Sequence, residues 1–181
     1  PTLAYEDGPG GVFGMTFSSD DEAQKLTVYA GDRLYVPATK NAVFEARVAI
    51  TGTFSADDRV VIGLAAARNA TLDNNASHSW FKIEGANNNI LVETDDGTTD
   101  NDDNDTTKDW TSGTYYVYRI DLSDLSNVRF FVDDVQCQPE TMDLSQLTAT
   151  SYLQPYIEMQ KDAGAVTHKV QIDYIRVTYD R

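Results

Sequence analysis

The residues that could do chemistry in this chain are mostly carboxylates, and they crowd together. Seven aspartates and no apolar residue lie between Asp95 and Asp109. Within that run, Asp100-Asn101-Asp102-Asp103-Asn104-Asp105 offers hard oxygen donors at alternating positions, the donor type calcium takes. Asp100, Asp102 and Asp105 are the candidate metal ligands. The helix–loop–helix calcium pattern fails, because the sixth position is Asp105 and the twelfth is Thr111 where Gly and Glu belong. The plainer alternative is a solvated loop with loose counterions.

Two aromatic residues could stack on a sugar ring, Trp80 and Trp110. Trp80 leads an alternating segment and suits a core equally well. His78 and His168 stand far apart and read as ordinary strand-end or loop histidines. The lone Cys137 has no second thiol for a disulfide and no histidine nearby for a zinc site. No phosphate-binding loop, dinucleotide fingerprint or nucleophile elbow occurs.

Composition narrows the partners. The formal net charge is −15 over 181 residues. Binding a polyanion requires clustered Lys and Arg, so nucleic acid is excluded, and anionic membrane surfaces are disfavoured for the same reason. No apolar stretch is long enough to span a bilayer. A chain of this length buries enough surface to fold without disulfide or metal, so one domain over residues 1–181 is expected, with no cofactor required.

The elements that must carry these residues are strands. In Phe44-Glu45-Ala46-Arg47-Val48-Ala49-Ile50 the residues Phe44, Ala46, Val48 and Ile50 share one face. Val60 to Ala66 is a continuous apolar run in which Gly63 allows close approach. Trp80 to Glu84 and Ile90 to Thr94 sit at hairpin distance across Gly85-Ala86-Asn87-Asn88-Asn89. Tyr115 to Leu122 and Val128 to Val132 alternate again, and Asp133-Asp134 is a two-residue turn into Val135-Gln136-Cys137. Tyr152 to Met159 and Lys169 to Tyr179 are the last long strands. Gly11 to Phe17, Leu26 to Ala30 and Leu34 to Val36 supply short ones upstream. Thr141 to Leu147 is the one plausible helical turn. The acidic run reads as a loop, and Gly8-Pro9-Gly10-Gly11 as a turning N-terminal arm. About ten strands at this spacing, with no alternating helices, give an all-β sandwich or barrel.

Three segments resemble the ending of concanavalin A-like lectin/glucanase domains: Tyr118-Arg119-Ile120-Asp121, Val128 to Asp134, and Ile172-Asp173-Tyr174-Ile175-Arg176-Val177. Phe44-Glu45-Ala46-Arg47 resembles the strand that often opens that core. The resemblance implies a jelly-roll β-sandwich of two packed antiparallel sheets, with residues 1–40 as arm and first strands and 41–181 as core. A narrower resemblance spans about residues 41–181. It rests on Phe44-Glu45-Ala46-Arg47, Gly63-Leu64, Trp80-Phe81, Val92 to Asp100 and Leu153-Gln154-Pro155-Tyr156, and is to small structural proteins of tailed bacteriophages.

The enzymes of this fold need residues that are missing. Its glucanases carry Glu-x-Asp-x-x-Glu on one strand, and the nearest run here is Glu93-Thr94-Asp95-Asp96. Its polysaccharide lyases need an Arg-rich strand, a Gln-x-His and a late Tyr, and only Tyr156 is available. The expectation is therefore a non-enzymatic virion protein that decorates or cements a phage capsid. Its partners would be the major capsid protein and copies of itself, and its place the outer capsid surface. The alternative is a secreted carbohydrate-binding or lectin-like domain, calcium-dependent through the acidic run, with a glycan as partner.

Overall fold

The computed structural model describes residues 1–7, 11–33, 35–85 and 87–181. Gly8, Pro9 and Gly10 of the expected arm, Leu34 of the third upstream strand and Ala86 of the hairpin loop lie outside the described residues. Among the described residues, fourteen strands form two seven-stranded sheets.

The first sheet begins at an edge with β1 (Thr2–Glu6), followed by β2 (Val12–Thr16). It continues through β14 (Lys169–Thr178), β5 (Val43–Thr51), β10 (Tyr115–Asp121), β11 (Arg129–Val132) and β12 (Val135–Gln136). The second sheet runs β3 (Gln24–Tyr29), β13 (Tyr152–Lys161), β6 (Arg59–Ala65), β7 (His78–Glu84), β8 (Asn89–Asp95) and β9 (Asp100–Asp109). Its seventh strand, β4 (Val36–Pro37), also pairs with β13. Every pairing is antiparallel. Residues 1–40 thus contribute strands to both sheets.

The core fills the space between the sheets. Phe44, Ala46, Val48 and Ile50 of β5 and Tyr118 and Ile120 of β10 face Ile62 and Leu64 of β6, Phe81 and Ile83 of β7 and Ile157 and Met159 of β13. Phe81 meets Tyr118 and Phe130 edge-on, with ring centroids 5.0 and 5.2 Å apart. Truncating such a ring to Ala costs about 3–5 kcal/mol. Strict alternation along β14 would turn Ile175 and Val177 away from the face that buries Val170 and Ile172. A bulge between Ile172 and Tyr174 restores the phase, so all four face the core. Asp173, the extra residue, turns out to accept a 2.7 Å bond from Arg47.

Two turns behave as their residues require. Asp133 and Asp134 take φ of 49° and 62°, both in the left-handed region that short polar side chains tolerate, and this closes the β11–β12 hairpin. A Cβ on Gly63 would lie 2.3 Å from the Ser79 carbonyl oxygen and 2.7 Å from the Trp80 Cα, so β6 and β7 approach as only glycine permits.

Two expectations need correction. The acidic run is not a loop throughout: Asp100–Asp109 is β9, the outermost strand of the second sheet. Pairing with β8 satisfies the inward side of its backbone, and as an edge it leaves the other side and most of its carboxylates in water. Ahead of Gly8, Thr2–Glu6 forms a strand that alternation did not reveal, paired with Val12–Thr16. Among the described residues the one helical turn is a 3-10 turn at Leu72–Asn74, between β6 and β7, and Thr141–Leu147 holds only a single hydrogen-bonded turn at Ser145–Gln146.

Candidate functional site

Alternation on β7 turns Phe81 and Ile83 into the core and sends His78, Trp80 and Lys82 to the outer face of the second sheet. The same rule on β8 sends Glu93 outward between Val92 and Thr94. The β7–β8 register sets Trp80 directly opposite Glu93. The indole Nε1 donates to Glu93 Oε2 at 2.6 Å. Lys82 Nζ donates to Glu93 Oε1 at 2.8 Å, to Asp103 Oδ1 of β9 at 2.7 Å, and lies 3.1 Å from Glu84 Oε2. His78 stacks on Trp80, the ring centroids 3.6 Å apart at 12°.

Burial sets the protonation of this cluster. It raises the Glu93 carboxyl to about 7, against the opposing pull of Lys82. It pushes the His78 imidazole down to about 3, so the ring is neutral near pH 7. Burial also disfavours the Lys82 charge, but Glu93, Asp103 and Glu84 overcome it and hold the ammonium above the ordinary lysine range. His78, Lys82, Glu93 and Asp103, with Asp73, Asp100 and Asp102, line an acidic pocket of about 190 Å³.

The middle of the same face is sealed. Tyr156 of β13 and Trp80 flank Gly63 on β6 and lie 6.2 Å apart, ring to ring. Over them folds the segment 66–77, whose Leu72 is buried against Val61, Ala65, Trp80 and Tyr156. The segment is tied down by hydrogen bonds to strand β3 and the residues after it. Arg68 donates its backbone N–H to Asp32 and its Nε to Thr27, Lys25 Nζ donates to the Ala70 carbonyl, and Ala66 N–H closes the base of the segment on the Ser77 carbonyl at 2.8 Å. The Tyr156 hydroxyl donates to Glu158 Oε2 at 2.7 Å, which also accepts from Thr27 Oγ1. Burial and Glu158 raise the phenol, so it stays protonated.

The structure separates the expected site residues. Asp100 and Asp102 border the acidic pocket, but Asp105 lies farther along β9, opposite Leu91, where it accepts from Asn89 Nδ2. Among the described residues no three His, Cys, Asp or Glu side chains converge as a metal ion requires. Trp80 is 0 % exposed and Trp110 4 %, so neither indole presents a stacking face to solvent. Trp110 packs edge-on to Phe54 beneath a pocket of about 210 Å³ that Asn87, Asn88 and Ser112 also line.

Two buried polar centres escaped the sequence because their partners are remote in the chain. His168 Nε2 meets Asp58 Oδ2 at 2.6 Å, with both side chains 1 % exposed. Burial would raise Asp58, but bonds from Ser55 and His168 hold it below the usual carboxylate range. Lys161 is likewise buried, and its ammonium donates to the carbonyls of Ser18, Asp20 and Gly164 at 3.1, 2.6 and 2.7 Å.

Chemically, the Glu93 cluster holds a proton in the range useful for acid–base work. Both Glu93 oxygens are engaged, however, and an ammonium bridges it to Asp103. The third carboxylate of the glucanase spacing is replaced by Thr98.

No protein-family model and no curated protein sequence matches the chain. Solved structures do match its fold. One is a family 16 endo-glucanase from Bacteroides ovatus, with 11% identity over 97% of this chain and 85% of that one, TM-score 0.66. A second is the carbohydrate recognition domain of Emp47p, with 10% identity over 93% and 89%, TM-score 0.66. A third is a polysaccharide lyase family-7 alginate lyase, with 9% identity over 98% and 83%, TM-score 0.65. The chain therefore has the two-sheet antiparallel jelly roll of the concanavalin A-like folds, a fold shared by enzymes and by lectin domains.

Proposed function

We propose that this chain is a non-catalytic structural protein of a virion, a decoration or cement protein bound to the major capsid protein on the outer surface of a tailed-phage head. The sealed middle of the second sheet's outer face, with the ammonium that fills the acidic cluster beside it, carries the reading. Trp80 and Tyr156 are buried under segment 66–77, and Lys82 occupies the place between the carboxyls of Glu93 and Asp103. This argues against an open cleft with free catalytic acids, and leaves surfaces to do the work.

The outer face of the first sheet suits assembly. Arg47 lies over the Tyr115 ring at 4.4 Å and Arg119 over the Phe131 ring at 3.7 Å. Arg47, Arg129 and Arg176 are further held by Asp173, Asp121 and Glu45 at 2.7, 2.8 and 3.1 Å. Ordered arginines and aromatics are the residue types enriched where proteins meet. The resemblance to phage structural proteins points the same way.

A second reading has one observation behind it: the likeness to a carbohydrate recognition domain, with the Trp110–Asn87–Asn88 pocket as the glycan seat. The deciding experiment mixes the purified chain with heads assembled from the capsid protein encoded beside its gene. Saturable cosedimentation at a fixed number of copies per capsid subunit is expected. Failure to cosediment, together with a glycan-array signal lost in Asn88→Ala, would replace the assembly reading with the glycan one.

A further inference from the structure

Edge strands expose unpaired N–H and C=O groups, and soluble proteins blunt them with charge, shortness or bulges. Three of the four sheet edges here are blunted. β9 carries acids along its length and two register irregularities, β12 has two residues, and β3 carries Lys25, which reaches over to the Ala70 carbonyl. β1 is different. It is hydrogen-bonded to β2 on one side only, and Thr2-Leu3-Ala4-Tyr5 holds no charge. Leu3 is 48 % and Tyr5 86 % exposed. Their partners across the hairpin, Met15 and Phe13, pack into or against the core, so Leu3 and Tyr5 lie on the core-side face of the first sheet without being covered.

We infer that β1 is a strand-addition edge on which a second copy of this chain pairs antiparallel through its own β1, about a two-fold axis at Ala4. That register sets Leu3 of each copy opposite Tyr5 of the other, so the two exposed apolar side chains cover each other twice. Charge within the paired segment allows it. The one acid of Thr2–Glu6, Glu6, is already bound by Lys169 at 2.6 Å and by Gln171 at 2.8 Å, so no free carboxylate lies inside the paired stretch, and the exposed Asp7 falls beyond its end. The two first sheets become one continuous sheet. Five residues a side bury less than a standard interface of about 1,200–2,000 Å², so the dimer is weak and concentration-dependent. The inference does not depend on the capsid reading, because the association occurs in free solution.

Sedimentation equilibrium from roughly 10 µM to 1 mM tests it. The parent mass is expected to rise toward twice the monomer. Leu3→Lys/Tyr5→Lys and Leu3→Glu/Tyr5→Glu should each dimerise at least about tenfold more weakly, and an equimolar mixture of the two should recover a 1:1 dimer. Parent chain that stays monomeric at about 1 mM, or lysine variants that dimerise like the parent, would overturn the inference. Hydrogen exchange on the parent needs no variant. Outward-facing β1 amides should exchange more slowly at high than at low concentration, and equal rates would count against strand addition.

Discussion

Glu93 and His78 answer to pH in opposite senses, although they lie on one face a single strand apart. His78 titrates near 3 in the folded chain against about 6.5 when unfolded. A depressed group contributes stability that is complete above pH 6.5 and is lost as pH falls toward 3. Glu93 is the reverse. Its folded value near 7 means that its contribution is present below about 4.5 and lost as pH rises through 7. His78→Phe keeps a ring on Trp80 but removes the first dependence. Relative to the parent, its unfolding free energy should gain about 3 kcal/mol between pH 7 and pH 4 in urea melts. A difference that does not change with pH would show that His78 takes up its proton in the folded chain. None of this was legible at the level of single residues. Glu93 read as a strand end and His78 as incidental, because the stack on Trp80 and the Lys82 bridge exist only once the β7–β8–β9 register is set.

At the scale of elements, the segment 66–77 decides whether the outer face of the second sheet is open or closed. Its hold rests largely on Leu72, which belongs to a small apolar cluster apart from the main core. Leu72→Ala should cost about 2–3 kcal/mol, near the low end for buried leucines because a loop can partly collapse into the gap. The segment should lift locally before the sandwich unfolds. Tryptophan emission would then shift to the red, with greater acrylamide quenching of Trp80. Unchanged emission would mean that the hydrogen bonds of Arg68 and of Lys25 to the Ala70 carbonyl hold the cover without Leu72. Strands with a buried face were readable from alternation, as Phe44–Ile50 and Val128–Val132 illustrate. β9 was not, because nothing in Asp100–Asp109 needs burial, and its conformation follows from the unpaired edge of β8. β1 was hidden for a related reason: its two apolar residues stay exposed, so they give no sign of a core.

For the whole molecule, charge repulsion is the opposing term that the solvent can tune. A net charge of −15 on 181 residues repels itself in the compact state, and the carboxylates of β9 concentrate that repulsion along one edge. Asp100 shows it locally: burial and the neighbouring Asp102 and Asp95 raise its carboxyl. Raising sodium chloride from about 0.01 M to 0.5 M shortens the screening length from roughly 30 Å to under 5 Å. The melting temperature should rise by several degrees across that range, and calcium at equal ionic strength should add nothing further. An extra calcium increment would restore a specific ion site to Asp100 and Asp102.

The carbonyl cage around Lys161 has a consequence of its own. It gathers backbone oxygens from the β2–β3 connection and the β13–β14 turn onto one positive centre, an arrangement that elsewhere would call for a free ion. Here the positive centre is part of the polypeptide. Its occupancy is fixed at one per molecule, it cannot be chelated or diluted away, and it is delivered with the strand it fastens. The staple that joins the two sheets at this end is therefore inherited with the gene and owes nothing to the surrounding medium.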